Sequence, residues 1–298
     1  MPPPLPPALI EKLVGAAGAT FLSQQAEPIT HGTGAASGSV WRLRLEVGTP
    51  AGDRVEVHVV RKVLRLLSDG RHAAGAIEPR HWAYWRREAE AYVSGLLPSG
   101  PGLRAPECLA VEGDSVYLEE VAGSVPSCDQ AAEHLAAWQV DYDASLDREW
   151  LARDQLGRRL AVSRLDWTGL EADPGVVELW ERRWELLERL GRLPVVRSHG
   201  DYSLGNLVGK GSDTVALDWA TFGWEPLGFD LAHLALSSGL DPRPAYRAAV
   251  PERSRKELDA GFTAALAIIG SSRVHWILSG GQVVPSWYVG FLLEHRPN

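Results

Sequence analysis

Apolar and polar residues alternate from Ser39 to Val47 (SVWRLRLEV), a two-residue period that predicts a strand with one buried face. Val55 to Leu64 (VEVHVVRKVL) continues the pattern. A turn-forming run, Gly48-Thr49-Pro50-Ala51-Gly52-Asp53, joins the two segments. Trp82 to Leu97 holds neither Gly nor Pro until Gly95 and predicts a helix. Val116 to Val121 (VYLEEV) predicts a further short strand, which Ala122-Gly123-Ser124 ends.

Beyond residue 124 the pattern becomes helical. Ser127 with Gln130 forms a capping box ahead of Leu135, Trp138 and Tyr142. Asp173-Pro174 opens a helix whose apolar face is Val176, Leu179, Trp180, Leu187 and Leu190, with Gly191 as C-cap. Ser254 and Glu257 form a second capping box, for a helix ending near Gly270. These elements predict an α+β chain: a β-rich lobe over 1–121, a connector near 119–124, and a larger helical lobe over 122–298.

The densest chemistry lies between Ser198 and Ala232 (SHGDYSLGNLVGKGSDTVALDWATFGWEPLGFDLA). Two short apolar runs flank the turn Gly209-Lys210-Gly211-Ser212-Asp213 and predict a hairpin that sets Asn206 almost opposite Asp218. A carboxylate and an amide oxygen then converge, with Asp201 on the adjoining loop. Hard oxygen ligands of this kind suit Mg²⁺, which fills the rest of its shell from water and phosphate. An Asp–Asn pair in a loop is also ordinary turn chemistry, and that reading stays open here.

His199-Gly200-Asp201, Asn206, Asp218-Trp219, Gly223, Pro226 and Asp230-Leu231-Ala232 together resemble the signature of the aminoglycoside phosphotransferase and choline kinase-like family. The resemblance implies a bilobal, protein-kinase-like fold and a small-molecule kinase. Asp201 would be the catalytic-loop aspartate that orients or deprotonates the acceptor hydroxyl, and Asn206 and Asp218 would hold Mg²⁺ on the nucleotide phosphates. His199 reads as a metal ligand, a base or a brace of the loop. Asp230 reads as an N-cap of a helix over 231–238, or as the loop brace that the resemblance implies.

The same resemblance places the nucleotide, ATP or GTP, against the first lobe. The run around Gly32, Gly34, Ser37 and Gly38 resembles a kinase glycine-rich loop, with one residue more before its third glycine. Such glycines let backbone N–H groups approach phosphates. Lys62 would grip the α/β-phosphates and pair with Glu88, with Glu90 as the rival on the helix. A one-residue slip of the strand would give the role to Arg61 instead. Glu119 and Val121 would form the hinge that meets the purine.

Composition narrows the field. The chain has 298 residues, 45% of them hydrophobic, and a net charge of −8, which excludes global disorder and argues against nucleic-acid binding. No run of apolar residues approaches membrane-spanning length, and MPPPLPP has no signal-peptide character, so a cytoplasmic protein without a membrane partner is expected. Cys108 and Cys128 read as free thiols. Nearly every basic residue is arginine, the lysines being Lys12, Lys62, Lys210 and Lys256. The helical lobe carries a net charge of −6, which suits a cationic acceptor or simply a solvated surface. Several of the 12 tryptophans, and the segment 143–173, are candidates for an acceptor wall. The expected activity is Mg²⁺-dependent transfer of the γ-phosphate of ATP or GTP to a hydroxyl of a small molecule, such as an aminoglycoside-like antibiotic or an amino or hydroxy metabolite. The alternatives are a non-catalytic nucleotide-binding module of the same fold and a hydrolase using Asp201 or His199. The second lacks a nucleophile elbow or a His-rich metal site.

Overall fold

A computed structural model describes residues 5, 7–29, 37–140, 146–248, 250 and 254–297. Gly32 and Gly34 lie outside the described residues, as does Tyr142. In chain order the elements are α1 (Pro7–Val14), β1 (Thr20–Pro28), β2 (Ser37–Gly48), β3 (Arg54–Leu64), α2 (Arg87–Ser94), β4 (Leu103–Arg104), β5 (Cys108–Glu112) and β6 (Ser115–Glu119). There follow α3 (Cys128–Val140), β7 (Ala152–Arg153), α4 (Gln155–Val162), α5 (Pro174–Glu181), α6 (Arg183–Leu190), β8 (Val195–Ser198), β9 (Leu207–Lys210), β10 (Asp213–Ala216) and β11 (Gly223–Pro226). The chain closes with α7 (Phe229–Ser238), α8 (Arg243–Arg247), α9 (Arg255–Ser279) and α10 (Ser286–Glu294).

Five antiparallel strands, in the order β1-β2-β3-β6-β5, form one sheet. Alternation turns Leu43, Leu45, Val47 and Val59 onto the face covered by α1, where Leu9, Ile10 and Leu13 meet them. The opposite face carries Leu64, Val116 and Leu118 against Ala89 of α2. This is the mixed α+β, kinase-like architecture expected from the sequence. The larger core surrounds α9, against which α5, α6 and α7 pack. By length and mean hydropathy α9 is apolar enough to cross a bilayer, yet most of that window is buried inside the fold, as in a core helix. Cys108 and Cys128 are free.

Several local readings need correction. The helix expected over Trp82–Leu97 is confined to Arg87–Ser94, ending at left-handed Gly95. The cause is Arg87. Its guanidinium is fully buried and donates to the carbonyls of Pro79, His81 and Trp82 in the preceding segment, and to Trp150 and Ala220 across the molecule. That claim on the carbonyls holds residues 79–86 in turns. Burial lowers the Arg87 pKa to about 9, still far enough up to keep the charge at neutral pH.

Lysine at this position has three donors for five carbonyls, and an unmade buried hydrogen bond costs roughly 1 kcal/mol or more. Arg87→Lys is therefore expected to lose about 2 kcal/mol of stability. The check is the denaturation midpoint; an unchanged midpoint would show that water replaces the missing donors.

The helix expected from Pro174 breaks at Arg182 into α5 and α6. Val176, Leu179 and Trp180 of the first and Leu186 and Leu190 of the second are buried, with Leu187 partly buried against the same core. Gly191 is the C-cap as expected, in a right-handed conformation. Ser127 accepts from Gln130 N at 3.1 Å, but the Gln130 side chain reaches Ser212 O, so that box is half made. Ser254 makes no side-chain cap, and α9 runs on past Gly270. Gly270 is needed for packing: a Cβ there would lie 2.2 Å from Leu292 Cδ2.

Candidate active site

Four local structures converge on one cleft of about 280 Å³: the ends of β2 and β3, helix α2, the strand-to-helix connector after β6, and the loops flanking the β9–β10 hairpin. Period-two alternation in β3 decides which cation enters it. Val60, Lys62 and Leu64 share the α2 face, whereas Arg61 points to the other side, donates to Ser115 Oγ at 3.2 Å and lies over the Tyr117 ring. Lys62 is 6% exposed, with Nζ 2.6 Å from both Glu88 Oε2 and Asp218 Oδ1. Glu90 lies on a less buried face of α2, so the helix phase selects Glu88.

Burial opposes the Lys62 charge, but the Asp218 and Glu88 carboxylates outweigh it and raise the pKa above the usual lysine value. For Glu88, burial raises the pKa despite the Lys62 charge. A planar guanidinium, longer and set to bind as a fork, fits badly between two carboxylates at these distances. Lys62→Arg is expected to cut turnover roughly tenfold or more, about 1.4 kcal/mol or more in barrier, while Arg61→Lys is close to silent. Steady-state kinetics of the two variants side by side is the check; the opposite ranking would move the phosphate contact to Arg61.

The β9–β10 hairpin turns at left-handed Gly211 and pairs Leu207 with Ala216, so Asn206 and Asp218 sit at matched ends, as expected. Leu217 N donates to Asn206 O at 2.8 Å. Asp218 itself adopts φ 61°, a conformation rare outside Gly, Asn and Asp. The Asn206 amide nitrogen is held by Asp201 O (2.9 Å) and Asp201 Oδ2 (3.1 Å), which leaves its carbonyl oxygen available to the cleft. Among the described residues no cluster of three or more His, Cys, Asp or Glu forms a metal cage. A divalent ion here would have Asn206 and Asp218 as protein ligands and would complete its shell with phosphate and water, a donor set that fits Mg²⁺.

The loop carrying Asp201 is braced from behind. Asp230 does not cap α7, whose N-cap is Gly228. Its buried carboxylate accepts from Ser198 Oγ (2.9 Å), His199 N (3.0 Å), Gly200 N (3.0 Å) and Gln139 Nε2 (3.1 Å). Gly200 is left-handed and passes so near Thr221 that a Cβ would meet its carbonyl oxygen at 2.5 Å. His199 spends both ring nitrogens on the loop: Nε2 donates to Leu217 O at 2.8 Å, and Nδ1 accepts from Asp201 N at 3.3 Å. Its role is that of a brace.

Asp201 is half-exposed. Its Oδ1 lies 3.0 Å from His233 Nδ1 and 3.8 Å from the Arg273 guanidinium. Burial pushes its pKa up, but the His233 hydrogen bond and the neighbouring cations hold it well below the usual carboxylate range. Burial likewise lowers the pKa of His233. Its Nδ1 lies 3.0 Å from both Asp201 Oδ1 and the Arg273 Nη2 donor, and its Nε2 has no partner. His233 and Arg273 escaped the sequence reading. His233 directly follows the Asp230-Leu231-Ala232 signature, one helical turn beyond the brace.

At the connector, Glu119 and Val121 both line the cleft, but they are not equivalent. Glu119 N already donates to Glu107 O, and its carboxylate binds Arg104 and Lys210. Val121 makes no backbone hydrogen bond among the described residues, so its peptide groups are the ones available to a ligand edge. Ser37 opens β2 with Gly38 beside it, and a Cβ on Gly38 would crowd Arg65 Cβ at 3.3 Å.

A lysine–glutamate pair between sheet and helix, a braced aspartate loop and an Asn/Asp hairpin define a protein-kinase-like phosphotransferase. The family model for the phosphotransferase enzyme family (APH) matches residues 61–265. Among solved structures the chain is similar to a GDP complex of aminoglycoside 2'-phosphotransferase-IIIa, with 13% identity over 97% of this chain and 96% of that one and a TM-score of 0.55. It is also similar to the choline kinase LicA from Streptococcus pneumoniae (11%, 92% and 92%, 0.52) and to a choline/ethanolamine kinase family protein from Mesorhizobium loti (14%, 91% and 86%, 0.51). At these identities the likeness is one of fold. No curated protein matches. The chain belongs to the phosphotransferase enzyme family and is a small-molecule kinase.

Proposed function

We propose that this kinase moves the γ-phosphate of ATP or GTP to a hydroxyl of a small molecule, with Mg²⁺ as cofactor, in the cytoplasm. The observation that carries the reading is the convergence of Lys62, Glu88 and Asp218 at 2.6 Å contacts, in the cleft that also holds Asn206. In this reading residues 1–121 form the nucleotide-binding lobe and 122–298 carry the catalytic loop and the acceptor site. Val121 offers its backbone to the base, and the segment around Gly32, Gly34, Ser37 and Gly38 covers the phosphates. Glu88 fixes Lys62, which meets the α/β-phosphates. Asn206 and Asp218 would hold the magnesium, which when bound neutralises phosphate charge during transfer.

Asp201 accepts a hydrogen bond from the acceptor hydroxyl and aims its oxygen at the γ-phosphorus. A P–O bond forms to that oxygen and the bond to the bridging oxygen of the nucleoside diphosphate breaks. The hydroxyl proton passes to Asp201 or to water. The depressed Asp201 pKa suits an orienting carboxylate, ionised throughout the neutral range, more than a strong base.

Calorimetric titration of the purified chain with ATP and GTP, with and without Mg²⁺, tests the donor half of the reading. Tighter nucleotide binding with Mg²⁺ is expected. Absence of nucleotide binding under both conditions would overturn it.

A further inference from the structure

A second cavity, of about 190 Å³, opens on the other side of Asp201, between α4, α5, α7 and α9. Its position next to the catalytic-loop aspartate makes it the acceptor pocket, an assignment that rests on the kinase reading proposed for this chain. The walls are mostly apolar, with Trp180 and Ile268 among them, but two arginines enter it: Arg159 from α4 and Arg273 from α9. The cavity is smaller than the first cleft, which suits a compact molecule.

Arg159 is the unusual residue. It makes no ion pair among the described residues, and its Nε is wholly buried without an acceptor. Its guanidinium is stacked 4.0 Å above the Trp82 ring. Burial pulls its pKa down to about 10, with the Asp201 charge only partly compensating. The other carboxyl acting on it, Glu225, is raised to about 8 by burial and so carries little counter-charge at neutral pH. Arg273 adds a second cation, 3.8 Å from Asp201. His233, 3% exposed and with an unpartnered Nε2, completes a polar floor. Arg159 is partly buried, with its Nε shut off from any acceptor and no carboxylate paired to it among the described residues, an arrangement that an anionic ligand would complete. Asp201 is already engaged by Asn206 Nδ2, His233 and Arg273, and among the described residues it forms no ion pair with Arg159.

We propose that the acceptor is an anion: a compact hydroxylated carboxylate whose acid group is bound by Arg159 and Arg273 while its hydroxyl meets Asp201. The net charge of −6 in the helical lobe therefore does not describe the pocket, and a cationic acceptor such as an amino alcohol or an aminoglycoside is disfavoured there. The planar guanidinium fork matches a carboxylate, and the apolar wall takes the carbon skeleton.

Two matched sets of probes test this. One is mandelate, mandelamide and phenylethanolamine; the other is glycerate, glyceramide and aminopropanediol. Saturation-transfer NMR with the full chain and Mg–ADP reads binding, and ADP release from Mg–ATP is read separately. The carboxylate of at least one set is expected to bind tenfold or more tighter than its amide, with the amine weakest. Arg159→Gln is expected to erase that preference while leaving Mg–ADP affinity in place. Arg159→Met should keep or raise the thermal midpoint, which separates lost binding from lost folding.

No carboxylate preference in either set, including no binding at all, overturns the inference. So does a preference that survives Arg159→Gln, or an Arg159→Gln variant that loses the nucleotide instead. Arginine-dependent carboxylate binding without ADP release from any hydroxylated compound would leave the anion site standing and count against the kinase reading.

Discussion

Asp218→Ala is expected to abolish nucleotide-dependent turnover, by roughly 10³-fold or more, while the protein stays folded. Two losses coincide in that variant. The proposed magnesium loses its only carboxylate ligand, and Lys62 keeps Glu88 alone as counter-ion, so its ammonium is free to swing toward the helix. The folding cost is small by comparison. Asp218 holds φ 61°, where alanine is strained by about 1–2 kcal/mol. Asp218→Asn is the companion variant: asparagine tolerates the left-handed conformation but lacks the charge. Both should lose turnover and Asn alone should keep parental stability. Near-normal turnover in either variant would remove Asp218 from the metal site.

Asp201→Asn tests the acceptor side of the chemistry. The substitution keeps shape and loses the charge proposed to orient the hydroxyl. It also replaces the acceptor for His233 Nδ1 by an amide that presents an acceptor or a donor according to its flip. Turnover should fall by ~10²-fold or more with nucleotide affinity unchanged. Because His233 and Arg273 hold the parental carboxylate ionised well below its usual range, acidification to pH 5 should not mimic the substitution. The sign is that of a depressed acid, whose charge persists until pH falls below its lowered pKa. Loss of nucleotide binding with unchanged turnover would contradict the assignment.

Legibility in the sequence tracked the distance over which each signal acts. Asp201, Asn206 and Asp218 were legible because one loop and one hairpin, local in sequence, bring them together. Alternation in β3 was likewise enough to offer Lys62 or Arg61, but only the pairing with β6 chose between them. The helix over 82–97 was drawn too long because its boundary is set by Arg87, whose partners at Trp150 and Ala220 are 63 and 133 residues away. Strand β1 was missed because TFLSQQAEP is polar and mostly exposed, leaving no apolar period to read. Gly270 looked like a helix end because glycine is a common terminator; its reason, contact with Leu292, belongs to tertiary packing. The proposed acceptor pocket draws Arg159, His233 and Arg273 from three helices, and nothing in their spacing connects them.

The central claim is phosphoryl transfer to a small molecule, and the most direct measurement tracks the phosphoryl group itself. The purified chain is incubated with Mg²⁺ and ATP or GTP isotopically labelled in the γ-phosphoryl group, together with hydroxylated small molecules spanning anionic, neutral and cationic classes. The low-mass products are then separated by mass spectrometry. The expected result is label in a phosphate monoester of one acceptor class, dependent on Mg²⁺ and lost in Asp201→Asn. Label found only in inorganic phosphate, or no transfer with either nucleotide, would contradict the account.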